Sequence, residues 1–403
     1  MREQGAAGVA AVAADKGAEP PENSRSLKRQ LEASRVPEAG IEPARLLRTQ
    51  DFESSASTIP PLGPVPGAKV RNFSDNQRKI SILAVYIMQQ SLADILKPFS
   101  SVFVVYDRNV ETYAREITAG LNPEPESLPV DAGERSKNMD TVLDICRWLL
   151  SRNADRKSIV LAVGGGTTTD MVGFAAGIYK RGIAYANIPT TLLAMVDASI
   201  GGKTGVNLDG YKNMLGVFRQ PEFTYVFPEA LQSLPEREFR SGAAELLKTF
   251  IIGDAEKYRE AVEVLSGAPT VAQMAPLIQA AAAIKEEIVN EDPFEQGRRR
   301  VLNLGHTWAH AIEWWQKEHS EKTPFTHGEA VAIGMIQAAR RSEAEGLAEK
   351  GLADKLTEDF TACGLPTELP CLEEELFPAI QKDKKSDGSR VNFVLIEDIG
   401  KVV

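Results

Sequence analysis

Cysteine and long hydrophobic runs are both scarce in this sequence, and each scarcity excludes a class of protein. The 403 residues include only three cysteines, Cys146, Cys363 and Cys371, and none belongs to a C-x-x-C pair. Because they are too few and too scattered for a disulfide framework, they favour a reducing compartment, and we expect a cytoplasmic protein. No stretch of about 18 apolar residues occurs, so no membrane span is predicted.

Positive charge is also in short supply. The chain has 46 Lys and Arg against 56 Asp and Glu, which gives a net charge of −10. Such an acidic balance argues against nucleic acid as the main partner. If the protein binds an anionic small molecule, its cations must therefore be gathered locally.

Aromatic residues are nearly missing from the first 66 positions, where Phe52 is the only one. This stretch is rich in Ala, Gly, Pro, Glu and Ser, and it cannot bury enough apolar surface to offset the entropy lost on ordering. Two interpretations stay open for residues 1–66. They form a disordered tail, or they are translated from a start codon assigned too far upstream.

From about residue 68 the pattern becomes that of a globular α/β protein. Short apolar, β-rich runs occur at Ser101–Tyr106, Lys157–Val163, Ala184–Ile188 and Phe223–Phe227, with a helical pattern at Met139–Leu150 between the first two. Strands that alternate with helices predict a parallel sheet with helices on its faces.

The pattern changes at about residue 234. Helical spacing of apolar residues marks Glu236–Ile252, Val271–Asn290, Val301–Trp315, Gly328–Glu345 and Lys350–Cys363, and only Val391–Ile396 near the end reads as extended. We therefore predict a first domain over residues 68–233 and a mostly α-helical second domain over residues 234–403.

A glycine-rich turn follows one predicted strand. Val163–Asp170 reads VGGGTTTD and leads into a helix. Glycines let the backbone approach a ligand, and the free N–H groups of a helix N-terminus suit an anion such as a pyrophosphate. Taken alone, the turn is better explained as an ordinary strand–helix connection.

The segment Asn187–Gly216 combines glycines, hydroxyls and cations. Lys203 and Lys212 could hold a phosphate as point charges, with Asp197, Asn207 and Asn213 nearby in sequence. An exposed polar loop is the competing interpretation, but the apolar residues woven through the segment argue against a purely solvated one.

Three of the four histidines suggest a metal site. His306 and His310 stand four apart on a predicted helix and so share one face, and His327 begins another predicted helix. With Glu245 they would suit zinc or a similar divalent ion. It is equally open that the i,i+4 histidines only pack or cap, and His319 reads as a surface residue.

Further cations are scattered through the predicted helices. Lys248 follows Glu245 by three positions on the same face, and Lys285 and Arg299 lie in later segments. A solvated face is the default interpretation for Arg298–Arg300 and for Lys384–Lys385.

Taken together and in order, these segments resemble the 3-dehydroquinate synthase family from about residue 68 to residue 401. The matching stretches are GGG-x3-D, PTTLLAMVDASIGGKTGVN, LPEREFRSGAAELLK, NEDPFEQGRRRVLNLGHT, HGEA and DKK. The resemblance implies a Rossmann-like N-terminal domain, a helical C-terminal domain, and a cleft between them that holds NAD.

The resemblance also implies roles for individual residues. A divalent metal, zinc or cobalt, would be bound by Glu245, His306 and His327, which moves His310 from the metal to the substrate. The implied substrate-contacting residues are Arg181, Asp197, Lys203, Asn213, Lys248, Lys285, Arg299, Asn303, His310 and Lys384. The implied cofactor contacts are Asp107, Glu134, Lys137, Gly165, Gly166, Asp170, Thr190, Thr191, Lys203, Lys212, Ala230, Leu231, Gln232 and Ser233.

The implied activity is conversion of 3-deoxy-D-arabino-heptulosonate 7-phosphate to 3-dehydroquinate and phosphate, in the shikimate pathway, by a homodimer. A sister cyclase such as a 2-epi-5-epi-valiolone synthase would be expected to carry Asp at position 303 and no histidine at 310. Two further readings stay open, a polyol or glycerol-phosphate dehydrogenase and a relative that binds ligands without catalysis.

The sequence departs from the family pattern in three places. Thr167–Thr169 and Ala132 replace more usual residues beside the implied cofactor site. The chain also ends at Val403, where family members continue for about one helix, so we expect a truncated C-terminus.

Overall fold

The computed structural model describes residues 82–84, 91–319, 323–387 and 393–403, with the backbone alone for 82–84 and 382–387. The predicted tail, residues 1–66, lies outside the described residues. Among the described residues, no helix combines the length and apolar character needed to cross a membrane.

A six-stranded parallel sheet forms the first half of the chain. Its strands are β1 Ile82–Ala84, β2 Val102–Asp107, β3 Glu126–Val130, β4 Ile159–Gly164, β5 Ala184–Pro189 and β8 Thr224–Val226, in the order β1-β8-β5-β4-β2-β3. The central strand β4 is buried along its whole length, as expected for a parallel strand covered on both faces. The four predicted strands are confirmed, with ends that differ by at most two residues, whereas β1 and β3 were not predicted.

Helices cover both faces of this sheet. They are α1 Leu92–Leu96, α2 Glu111–Thr118, α3 Met139–Ser151 and α4 Gly166–Ile178. Two separate apolar clusters result, one built on Val105 and Ile145 and the other on Val104 and Leu161. Neighbouring residues of β2 thus contribute to opposite faces, as the two-residue period of a strand requires.

An antiparallel hairpin stands apart from the main sheet. Its strands, β6 Lys203–Leu208 and β7 Tyr211–Phe218, are joined by Asp209 and Gly210 at φ 50° and 82°. An Asp-Gly pair with two positive φ values is the turn that matches the twist of a two-residue hairpin. Because Leu192, Met195 and Ile200 upstream of it are buried, segment 187–216 is not a solvated loop, as the sequence indicated.

The second half is mostly helical, so the predicted fold class is confirmed. It contains α5 Glu236–Gly253, α6 Ala255–Leu265, α7 Val271–Glu291, α8 His306–Glu318, α9 His327–Ala344, α10 Leu352–Ala362 and α11 Glu373–Asp387, followed by the short antiparallel pair β9 Ile396–Asp398 and β10 Lys401–Val402. The boundary between residues 233 and 234 stays a prediction. It falls between a 3₁₀-helix, Pro228–Ser233, and the start of α5.

Two predicted elements are wrong in detail. The helix expected over Val301–Trp315 begins only at His306, because a 3₁₀-helix over Arg298–Asn303 precedes it and Gly305 adopts φ 78° between them. Such a left-handed φ cannot continue an α-helix. The extended run expected from Val391 begins as a strand only at Ile396, and residues 391 and 392 lie outside the described residues.

Glycines let three helices approach one another more closely than side chains would allow. A Cβ on Gly334 of α9 would lie 2.1 Å from the carbonyl oxygen of Gly305, and one on Gly328 would lie 1.9 Å from that of Ser241 in α5. No real Cβ tolerates such distances, so α9 is held against both α5 and the start of α8. The first residues of α8 and α9 therefore meet beside the middle of α5.

We expect Gly334→Ala to destabilise the protein. Alanine would gain about 1 kcal/mol of helix propensity, but its methyl group would overlap backbone that cannot yield without separating α8 from α9. The net loss should be about 1–3 kcal/mol in urea unfolding. Gly267→Ala is the matched control, since its nearest atom would be 3.8 Å away. A Gly334→Ala protein as stable as the control would contradict the close-packing interpretation.

Candidate functional site

The carboxyl ends of five parallel strands carry most of the predicted cofactor residues. Asp107 ends β2, Gly165 and Gly166 follow β4, and Thr190 and Thr191 follow β5. Glu134 and Lys137 come after β3, and residues 230–233 lie in the 3₁₀-helix after β8. Since parallel strands end at one edge of the sheet, the topology brings these residues to the edge at which open α/β sheets bind ligands.

The glycine-rich turn lies where the strand order reverses, between β2 and β4. A Cβ on Gly164 would lie 2.7 Å from Thr168 Oγ1 and 3.1 Å from the Asp107 Cβ. Thr168, one of the unusual threonines, is thus packed directly on the turn. The N–H groups at the start of α4 can bind an anion there, because the first turn of a helix leaves them without partners.

Lys137 links the sheet edge to the hairpin. Its Nζ donates to Asp170 Oδ2 and to Asn213 Oδ1, both at 2.6 Å, and its side chain is buried. Burial raises the pKa of Asp170 to about 6, against the opposing effect of Lys137. Asn213, at φ 54° on β7, also binds Asn207 Oδ1 through its own N–H at 2.9 Å. Asp170, Asn213 and Lys137 therefore form one polar cluster.

The three predicted metal ligands converge. Glu245 comes from the middle of α5, and His306 and His327 are the first residues of α8 and α9. One ligand atom from each lies within 4.8 Å of the other two, and among the described residues these three form the group that could hold a metal. His310 stands outside the group, with its ring centroid 5.6 Å from that of His306.

Both histidines direct a free ring nitrogen into the group. His306 Nδ1 lies 3.2 Å from the Leu304 carbonyl oxygen, and His327 Nδ1 lies 3.0 Å from Glu313 Oε1. Because both partners accept, each Nδ1 carries a proton and each Nε2 is left with its lone pair. His327 Nε2 is 3.6 Å from Glu245 Oε1.

Glu245 supplies the strongest sign that a cation belongs here. Its side chain is completely buried, and neither carboxylate oxygen has a hydrogen-bonding partner among the described residues. Lys248 Nζ does contact Oε2 as an ion pair, but without hydrogen-bond geometry. The ion pair with Lys248 offsets part of the cost of burying this carboxylate, and a metal ion would offset more of it by binding the oxygens that lack hydrogen bonds. The donor set of one carboxylate and two neutral imidazoles fits zinc or cobalt.

The pKa values of the two histidines shift in opposite directions, and only that of His306 favours a neutral ligand before a metal binds. Burial, and then the charge of Lys248, hold the pKa of His306 well below its ordinary value, so that imidazole is neutral. Burial lowers the pKa of His327, but Glu313 and Glu245 outweigh it and the pKa is raised. Burial raises the pKa of Glu313, yet His327 and Lys212 outweigh that effect and bring it to about 2. Glu313 is thus fully ionised.

A cation cluster lies beside the metal group. Lys285 Nζ donates to the carboxylate of Asp197 at 2.5 Å and to its carbonyl oxygen at 2.6 Å, and Lys248 Nζ is 4.0 Å from the same carboxylate. Burial raises the pKa of Asp197, but the two lysines overcome it and hold the pKa far below its ordinary value.

Arg299 is buried, contrary to the default interpretation of Arg298–Arg300 as a solvated face. Its guanidinium donates to the carbonyl oxygens of Pro293 at 2.7 Å and Gly201 at 3.0 Å, while Nε has no partner among the described residues. A Cβ on Gly201 would lie 2.4 Å from this guanidinium. The glycine therefore makes room for the arginine.

Among the described residues, the predicted substrate residue Arg181 lies away from the cluster. Arg181 precedes β5, whereas Thr190 follows it, and six strand residues at about 3.3 Å each separate their edges by roughly 20 Å. Within one chain, Arg181 lies at the wrong edge of the sheet, and its contact with substrate stays a prediction. The side chain of Lys384 lies outside the described residues, so its role also stays a prediction.

Sequence reasoning missed two glutamates. Glu295 forms an ion pair with Lys203 and accepts a hydrogen bond from Asn303 Nδ2 at 2.8 Å. Glu313 contacts both His327 and Lys212. A signal for Glu313 was present, since it follows His306 by seven positions and so shares its helical face with His310.

Comparison with known proteins decides the family. A family model described as the 3-dehydroquinate synthase N-terminal domain matches residues 127–241, and one described as its C-terminal domain matches residues 242–386. A 3-dehydroquinate synthase from Acidithiobacillus ferrooxidans is 42% identical over 314 residues, which cover 75% of this chain and 84% of the relative. The chain belongs to the 3-dehydroquinate synthase family.

Solved structures of related cyclases share the fold of this family member. A 2-epi-5-epi-valiolone synthase from Streptomyces hygroscopicus, with NAD⁺ and Zn²⁺ bound, gives a TM-score of 0.71 at 28% identity and covers 81% of this chain and 92% of its own. A 2-deoxy-scyllo-inosose synthase complexed with carbaglucose-6-phosphate, NAD⁺ and Co²⁺ gives a TM-score of 0.68 at 28% identity. The match covers 76% of this chain and 85% of the synthase.

We expect the two neighbouring histidines of α8 to differ in their effect on metal content. His306→Ala should lose bound zinc after gel filtration, because it removes one of three ligands. His310→Ala should keep about one zinc per chain, because its ring lies outside the group. If His310→Ala emptied the site as well, the assignment of three ligands would be wrong.

Proposed function

We propose that this chain is an NAD- and metal-dependent 3-dehydroquinate synthase. It converts 3-deoxy-D-arabino-heptulosonate 7-phosphate to 3-dehydroquinate and phosphate. The observation that carries the proposal is the meeting of Glu245, His306 and His327 beside a cation cluster, in a chain whose relatives are 3-dehydroquinate synthases. The chain also has Asn303 and His310, which a valiolone synthase is expected to replace.

NAD is proposed to bind at the carboxyl edge of the sheet. The N–H groups at the start of α4 face the pyrophosphate. The glycines of the turn make room for neighbouring side chains, because a Cβ on Gly165 would lie 3.0 Å from Thr191 and one on Gly166 would lie 2.9 Å from Ala198. Asp107, at the end of β2, accepts from the Asn109 N–H at 2.8 Å and is thereby fixed at that edge. Solved structures of related cyclases that contain NAD⁺ support NAD as the cofactor.

The proposed metal is held by Glu245, His306 and His327. When bound, the metal supplies a positive charge that acidifies a substrate hydroxyl, and NAD takes up and returns a hydride. Lys248 and Asp197 keep the charge of this region balanced in the absence of ligand. His310, one turn beyond His306 and exposed, is positioned to exchange a proton at a ring nitrogen with a substrate hydroxyl.

We propose that the substrate anion binds to those lysines whose ion pairs with carboxylates cost the least free energy to break. Lys203 is about half exposed and pairs with Glu295, so a substrate phosphate or carboxylate can replace that partner. Exposed ion pairs contribute only about 0–1 kcal/mol, which makes the exchange inexpensive. Arg299, Lys248 and Lys285 are buried and hold the surrounding backbone and carboxylates in place.

A homodimer and a cytoplasmic location are parts of the same proposal. The homodimer follows from the family resemblance, and all three cysteines are free thiols, which supports a reducing compartment.

The cofactor should behave as a catalyst. In the proposed cycle the hydride returns to the same substrate, and phosphate is lost in between. Trace NAD should therefore support many turnovers, with phosphate accumulating while NADH absorbance stays flat. Removing the metal with a chelator should stop phosphate release, and added zinc or cobalt should restore it. Steady NADH production without phosphate release would favour a polyol dehydrogenase instead.

A further inference from the structure

Glu313 occupies an unusual position between the metal group and the hairpin. It lies on α8, two turns after His306, and its side chain is only 12% exposed. One oxygen, Oε1, is 3.0 Å from His327 Nδ1, and the other, Oε2, is 3.0 Å from Lys212 Nζ. Each oxygen thus has its own partner, and the two partners come from α9 and from β7.

The contact with His327 fixes a ring that otherwise has little to hold it. His327 is the first residue of α9 and is one-third exposed, and Glu313 is the acceptor that faces its Nδ1. An imidazole held at Nδ1 by a carboxylate keeps its proton there and directs Nε2 outward. Such an outer carboxylate orients a metal-binding histidine and makes its free nitrogen a stronger ligand.

The contact with Lys212 fixes Glu313 in turn. Lys212 belongs to the hairpin, and the same helix contacts the hairpin again where Lys317 Nζ donates to the Gly210 carbonyl oxygen at 3.4 Å. α8 therefore contacts the hairpin through Glu313 and through Lys317, which lie one helical turn apart. The first of these contacts is made by the carboxylate that holds the His327 ring.

We infer that Glu313 is a positioning residue for the metal centre, which sets the orientation of His327, and that Lys212 holds Glu313 in place for this task. The inference rests on the metal site of the proposed function. The inference adds Glu313, a residue that does not bind the metal itself. It also makes the metal affinity of the site depend on a contact with the hairpin. Neither Glu313 nor its pairing with Lys212 follows from the three ligands themselves.

Zinc affinity of the full-length protein is the test, measured by competition with a chromophoric chelator. Glu313→Ala should weaken zinc binding by about 10- to 100-fold, the usual effect of losing such an outer carboxylate. Glu313→Gln should fall between this variant and the wild type. Its amide has one acceptor oxygen, which can serve His327 or Lys212 but not both.

A second readout separates positioning from a general loss of structure. With cobalt in place of zinc, the visible absorption spectrum of Glu313→Ala should change, because the angle of one ligand changes. Glu318→Gln is the matched control on the same helix, since Glu318 is exposed and has no hydrogen bond or ion pair within the described residues. It should keep the wild-type affinity and spectrum. Lys212→Gln should weaken zinc binding less than Glu313→Ala does.

The outcomes distinguish the inference from the proposed function. Glu313→Ala with zinc affinity within about twofold of wild type and an unchanged cobalt spectrum would overturn the inference and leave the three ligands standing. A wild-type protein that binds no zinc would overturn the metal site and the inference together. Equal losses in Glu313→Ala and Glu318→Gln would overturn the inference too, because the affinity would then respond to helix stability and not to the His327 contact.

Discussion

The buried carboxylate of Glu245 is the constraint on which the rest of the second half depends. It is enclosed by the apolar residues of α5, α8 and α9, and among the described residues Lys248 forms an ion pair with it and His327 Nε2 lies 3.6 Å from it. Ion pairs in such surroundings seldom offset the cost of removing the charges from water. The helices that surround it must therefore bring additional electron-pair donors and leave space for a cation. The close contacts at Gly305, Gly328 and Gly334 achieve this by placing two helix starts beside Glu245.

The same balance of charge extends outward from Glu245. Each lysine at the site faces a carboxylate, in the pairs Lys285–Asp197, Lys248–Glu245, Lys203–Glu295, Lys212–Glu313 and Lys137–Asp170. An acidic protein can in this way bring five ammonium groups to one site, because a carboxylate offsets the charge of each. The lysine side chains of these pairs range from fully buried to about half exposed. The exposed ones can exchange their carboxylate for a ligand, whereas the buried ones hold the shape of the site.

The sequence predicted elements well where local period and burial act together. The strands β2, β4, β5 and β8 are short apolar runs in a fully covered sheet. The long helix α7 buries one face, whereas α5 and α9 are buried on all sides along most of their length. The predicted start of α8 was wrong because the positive φ of Gly305 interrupts the helical spacing of apolar residues. The hairpin, which lies outside the main sheet, was not predicted. The Asp209–Gly210 pair was a direct signal for that hairpin, but the glycines and lysines around it suggested a ligand-binding segment instead of strands.

The same distinction explains which parts of the site could be predicted. His306 and His310, or Glu245 and Lys248, are three or four residues apart on one helix, so helical geometry alone places them on one face. Lys212 and Glu313, or Lys203 and Glu295, are about a hundred residues apart. A period shows which face of an element carries a charge, but it contains no information on which opposite charge that face will meet. For Lys212 and Glu313, that choice depends on how closely α8 approaches the hairpin. Local pattern therefore suggests candidate ligands such as His306 and His310, and the family resemblance was needed to choose between them. The residues that orient the ligands emerge only from the packed structure.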